Sequence, residues 1–171
     1  NRHYEDALLE LMNIFEENGF IGIAAGAFIG EHSYSNKLAS GRPDKEDLRV
    51  AREFGRKIKE YLKKDINEDG IKELVVKGKY PYKERKPQTP IAPITNDDCI
   101  LCGTCATHCP MGAIDLKNYK SVDATKCVKC CSCIKKCPTN AKAFIDKSFL
   151  QFTQALIDQY QEPKRQPELF I

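Results

Sequence analysis

"CILCGTCATHCP" at residues 99–110 and "CVKCCSCIKKCP" at residues 127–138 hold all nine cysteines of the 171-residue chain. Laid over each other at an offset of 28, Cys99, Cys102, Cys105 and Cys109 fall on Cys127, Cys130, Cys133 and Cys137, and Pro110 falls on Pro138. The second run has one thiol too many, and the first shows which. Cys131 lands on Gly103, so both runs read C-x2-C-x2-C-x3-C-P. The repeat continues outward, with Ile94 on Val122, Ile100 on Val128, Ala113 on Ala141 and Leu116 on Phe144.

Three cysteines at two-residue spacing wrap one corner of a cuboidal iron-sulfur core. In the two-cluster pattern the remote Cys-Pro cysteine ligates the other cluster. This predicts Cys99, Cys102, Cys105 and Cys137 on one 4Fe-4S cluster and Cys127, Cys130, Cys133 and Cys109 on the second. Structural zinc, the alternative, takes cysteines in fours built from pairs and leaves thiolates over. Cross-bracing lets the clusters stand in for a core that so short a module lacks. Pro110 and Pro138 remove a backbone donor and turn the chain away after the last ligand. The remaining loop amides are free to point at sulfur. Cys131 reads as a spare thiol beside a cluster rather than a redox sensor.

The composition agrees. Cysteines this close in sequence cannot all pair with each other as disulfides without strain. No apolar leader precedes a cleavage-like site, and "FIGIAAGAFIG" at residues 20–30 is too short to span a bilayer. The chain therefore reads as cytoplasmic, with reduced thiols. Its formal charge of +3 counts cysteines as neutral. Two liganded clusters bring the sum to about −1, so the charge gives no argument for nucleic acid. The chain begins at Asn1, without methionine, on the approach to a helix, and reads as a fragment or processed product.

Apolar periodicity predicts a helix over residues 4–17, stopped by Asn18-Gly19, and a buried parallel strand within 20–30. Arg42-Pro43-Asp44 introduces a second helix, ending near Lys64, with Leu48, Ala51, Phe54, Ile58, Tyr61 and Leu62 facing inward. One strand cannot stand alone, so residues 1–76 read as an incomplete α/β segment that something else must cover. Residues 77–93 are a proline-rich linker, 94–147 the cysteine module, and 148–171 a C-terminal helix and a proline-broken tail. His108 and the lysines Lys126, Lys129, Lys135 and Lys136 read as solvated side chains, the lysines having docking of an acidic redox partner as their second reading. His32, with Ser33 and Tyr34, follows the strand where open α/β sheets bind ligands, a placement that a truncated sheet deprives of most of its force.

Residues 94–147 resemble a bacterial-type two-cluster ferredoxin, with "CILCGTCATHCPMGAIDL" and "CVKCCSCIKKCPTNAKAF" as its halves. The resemblance implies a pseudo-twofold βαββαβ domain that passes single electrons at low potential. Cys131 departs from the family, which often has glycine there. "NRHYEDALLEL" and "GFIGIAAGAFIGEHSYSNKLASGRPDKEDL" are similar to the second half of the flavodoxin-like domain fused to such ferredoxins in anaerobic bacteria and archaea. In that family the segment from Asn1 to Tyr4 lies beside the flavin ring. The phosphate-cradling loop and first strands of that domain are not in this sequence, so FMN is expected only with them. The implied fold class is α+β: a two-cluster ferredoxin-like domain after the C-terminal portion of a flavodoxin-like α/β domain.

The expected function is low-potential, one-electron transfer to redox partner proteins such as a reductase or flavoprotein, with no catalytic residue. The alternative is a piece of an FMN-dependent oxidoreductase with a built-in ferredoxin module.

Overall fold

The computed structural model describes residues 4–63, 71–84, 87 and 89–171. Lys64 and the linker positions 85, 86 and 88 lie outside the described residues, as do residues 1–3 of the segment compared with a flavin loop. The chain divides into two compact units, Asn1–Glu31 with Leu38–Arg85 and Tyr160–Ile171, and His32–Lys37 with Lys86–Gln159.

In the first unit, helix α1 (Ala7–Glu17) ends as its Asn-Gly pair predicts. Gly19 takes a left-handed φ of 83°. Its N–H donates to the Glu16 carbonyl at 2.9 Å, and the Phe20 N–H donates to the Phe15 carbonyl at 3.1 Å. The Phe15 and Phe20 rings meet edge to face at 5.4 Å, which completes a Schellman stop with its apolar contact. Helix α2 (Lys45–Leu62) starts at a capping box of two aspartates. Asp44 Oδ1 accepts from the Glu46 and Asp47 amides, and Asp47 Oδ2 accepts from the Asp44 amide at 2.8 Å. Asp47 is buried and ion-paired with buried Arg42, whose guanidinium holds the carboxyl below its usual range. The arrangement gives a buried charge the pairing it needs.

Strand β1 (Ala25–Ala27) corrects the parallel-strand expectation, because it pairs antiparallel with β4 (Glu168–Phe170), Ala25 facing Phe170. The tail expected to be irregular supplies this partner. Gly26 makes the packing possible: a Cβ there would come to 3.2 Å from the Phe54 ring of α2 and 3.3 Å from Leu169. Phe54 is buried over this ribbon, whereas Leu48 and Leu62, also expected to face inward, are largely exposed. Phe20, Ile21 and Phe28 are exposed as well, so the apolar run is not covered on both faces.

The second unit carries β2 (Ile94–Thr95), α3 (Thr104–Thr107), α4 (Ser132–Lys135), β3 (Lys142–Ala143) and α5 (Lys147–Tyr160, to Gln159 in this unit). Strands β2 and β3 pair antiparallel, Ile94 facing Ala143 and Thr95 facing Lys142. Ile114 and Val122 form an antiparallel bridge. The order along the chain is that of the expected βαββαβ arrangement with its inner pair reduced to one bridge. Cys131, Phe144 and Phe149 form a small core joined by Tyr34, Ile91 and Ile134. The Phe144 and Phe149 rings stack at 4.0 Å. Among the described residues no helix is long and apolar enough to cross a membrane.

Candidate metal centres

Each cysteine run curls because two of its residues adopt left-handed backbone. Leu101 and Gly103 do so in the first run, at φ 55° and 74°, and Lys129 and Cys131 in the second, at 56° and 60°. A short helix follows each corner, α3 and α4, with the same hydrogen bonds shifted by 28 residues. The Cys109 amide donates to the Ala106 carbonyl, and the Cys137 amide donates to that of Ile134. Beyond them the Ala113 N–H donates to Cys109 Sγ and the Ala141 N–H donates to Cys137 Sγ, both at 3.2 Å. Such amides favour a thiolate over a thiol and act on any metal it holds.

The curls face two cavities. Cys99, Cys102, Cys105 and Cys137 line one, together with Tyr119, Thr139 and Lys142. Cys109, Cys127, Cys130 and Cys133 line another, together with Cys131, Lys129 and Phe144. One cavity thus takes three thiols from the first repeat and Cys137 from the second, and the other takes Cys109 from the first repeat and four thiols, Cys131 among them, from the second. All nine cysteines are free thiols.

The donor set fits an iron-sulfur cluster better than a single ion. Among the described residues no three His, Cys, Asp or Glu side chains converge closely enough to hold one metal ion. A zinc ion at about 2.3 Å from each thiolate requires that convergence. A cuboidal core, with a separate iron for each cysteine, does not.

The thiols differ in environment. Cys102 is exposed and hydrogen-bonded to Thr104 Oγ1 at 3.3 Å, which draws its pKa down. At Cys137 desolvation acts upward, but the Thr139 hydroxyl and nearby amides outweigh it and lower the pKa. Burial raises Cys105 and pushes Cys133 up to about 11, and the Lys142 charge opposes both shifts. Binding a metal at these two displaces a firmly held proton. Burial also pushes the Cys131 thiol up to about 12, with Cys133 and Cys130 adding to the effect. It behaves as a small apolar side chain in the core.

His108 is exposed, with Nδ1 3.0 Å from the Thr104 carbonyl. Lys126 lies 3.9 Å from Asp123, while Lys129 and Lys135 donate to the Thr89 and His32 carbonyls. Two residues of this site were not singled out in sequence, Tyr119 and Lys142. For Lys142 the signal was present: at the offset of 28 it falls on Ile114, a charge where the repeat has an aliphatic residue.

The 4Fe-4S binding domain family matches residues 92–115 and again residues 120–142. An uncharacterized ferredoxin of Methanocaldococcus jannaschii is 36% identical over 78 residues, which cover 46% of this chain and 50% of the relative. The chain thus spans about half the length of the curated relative it matches. No solved structure matches. The chain thus carries a ferredoxin-like stretch with two matches to the 4Fe-4S binding domain, at residues 92–115 and 120–142.

Proposed function

We propose that the cysteine module of residues 94–147 holds two 4Fe-4S clusters and carries single electrons between redox partner proteins in a reducing, cytoplasmic setting. The observation that supports this reading is the grouping of thiols: one cavity lined by Cys99, Cys102, Cys105 and Cys137, and another by Cys109, Cys127, Cys130 and Cys133 with Cys131 beside them. When bound, each cluster supplies a one-electron couple without forming a bond to substrate.

The chain's own residues do the rest. Cys99, Cys102, Cys105 and Cys137 ligate the first cluster, and Cys127, Cys130, Cys133 and Cys109 the second. The Ala113 and Ala141 amides hold the two crossing thiolates from behind. Cys102 and Cys130 are exposed, so they mark the surfaces through which an electron enters or leaves. Cys105 is buried and Cys133 half-buried, and the charge of Cys105 acts on the Cys133 site. No side chain has an acid-base role in this reading. Anaerobic coulometric titration tests it: two separate one-electron uptakes per chain are expected, and a chain that accepts no electrons refutes it.

A second reading concerns residues 1–76 as part of a flavodoxin-like domain, within an FMN-dependent oxidoreductase of a flavodoxin-ferredoxin fusion type. What favours it is an apolar groove along α1, lined by Leu8, Leu11, Phe15, Phe20 and Ile21. This is a face suited to packing on further structure or on a partner. Fluorescence titration with FMN tests it on a chain extended upstream of Asn1: saturation at one FMN per chain favours the second reading and no saturable binding refutes it, this chain alone being expected to bind none under either.

A further inference from the structure

Lys142 is 3% exposed, which is exceptional for a lysine. It lies on β3 opposite Thr95. Its Nζ donates to Thr95 Oγ1 at 2.6 Å and to the Tyr119 carbonyl at 2.9 Å. Both partners are neutral, so the hydrogen bonds fix the ammonium in place without cancelling its charge. A buried charge calls for a counter-charge. The candidates are the cysteines: Lys142 lines the cavity of Cys99, Cys102, Cys105 and Cys137, and its charge acts on Cys105 and on Cys133, one thiol from each set. Its counterpart in the first repeat is Ile114, buried and apolar. The cation is therefore an addition to the repeated frame and not a requirement of it.

We infer that Lys142 is a fixed positive charge set between the two cysteine groups that raises the reduction potential of the clusters they hold, more strongly at the Cys99, Cys102, Cys105 and Cys137 group. The inference rests on the cluster reading above. Reduction adds one negative charge to a centre that is already anionic with its four thiolates. A cation held nearby stabilises the reduced form more than the oxidised one. Burial keeps the interaction from being screened by salt or by water. The two clusters then differ in potential although their ligand loops are alike, because the lysine in the wall of one cavity, Lys142, is buried, whereas the one in the wall of the other, Lys129, is only half-buried.

The test is an anaerobic redox titration followed by electron paramagnetic resonance, with iron and sulfide counted on the same samples. The variant K142Q keeps a hydrogen-bonding group toward Thr95 and removes the charge. It is expected to lower the equilibrium constant for reducing the more affected cluster at least about tenfold, a shift of about 59 mV to more negative potential. K142R, which retains the charge, is expected to stay within about threefold of the unaltered chain. K142Q with full iron and unmoved potentials overturns the inference. K142R moving as far as K142Q also overturns it, since shape would then be the cause. If K142Q does not retain iron, K142M provides the same comparison with an apolar stem. An unaltered chain without iron and sulfide refutes the cluster reading and this inference together, whereas full iron with unmoved potentials refutes this inference alone.

Discussion

Gly103 and Cys131 occupy the same left-handed corner of the two repeats, at φ 74° and 60°, yet their surroundings are opposite. Over Gly103 lies the Tyr119 ring, so close that a Cβ would come within 3.2 Å of it. Position 147, the equivalent of 119, is a lysine, and the space above Cys131 is filled by its own side chain packed with Phe144 and Phe149. Ile114 and Lys142 form the second such contrast. The ligand loops are copies down to individual hydrogen bonds, while the residues behind them are not. A repeated thiol frame fixes what is bound, and the unrepeated residues behind it are left to set the two centres apart.

The largest expected effect comes from removing the metal. If the clusters substitute for a core, chelation under reducing conditions should accelerate amide exchange across residues 94–147 by at least about a hundredfold, about 2.7 kcal/mol of local opening. Helix α2, with its capping box, should keep its protection. Equal loss in both regions would remove the contrast between a metal-held and a packed unit.

Next in size is the cross-brace. Cys137→Ser should reduce iron from about eight to about four per chain. Adding Cys99→Ser should cost no further iron, because both belong to one cluster. Adding Cys127→Ser should remove the rest. Should Cys137→Ser pair instead with Cys127→Ser as the redundant combination, each repeat holds its own cluster and the assignment is wrong.

The surplus thiol gives a sharper test of the alignment. Cys131→Ser is expected to keep about eight irons and Cys130→Ser to lose occupancy. Equal losses in the two would make Cys131 a ligand.

The smallest effects concern the corner itself. Gly103→Ala forces a side chain into left-handed backbone and against Tyr119, so urea unfolding should show a loss of about 1–2 kcal/mol. Cys131→Gly relieves similar strain but gives up buried apolar surface, and should remain within about 1 kcal/mol of the unaltered chain. If Cys131→Gly costs more than Gly103→Ala, the packing of Cys131 outweighs its backbone strain.

Much of this was legible in sequence for local reasons. Helices α1 and α2 follow from apolar period and end signals that act within a few residues, Asn18-Gly19 at one stop and Asp44 with Asp47 at one start. The expected grouping of eight thiols rests on spacing, because ligand geometry leaves few ways to arrange C-x2-C-x2-C. The pairing of β1 with β4 was hidden. It joins residues 25–27 to residues 168–170, and nothing local in "ELF" marks it as a strand partner. Exposure of Phe20 and Ile21 was equally unreadable, since an apolar run does not say whether anything covers it. Lys142 was missed because the repeat was compared for matching apolar residues, and its information lies in the mismatch with Ile114.

Iron and acid-labile sulfide counted per chain, with a visible spectrum on protein purified without oxygen, test the central claim most directly. The account predicts about eight of each and bleaching of the visible absorption by dithionite. Zinc without a chromophore would contradict it, as would about four irons, which would leave one of the two cysteine groups without a cluster.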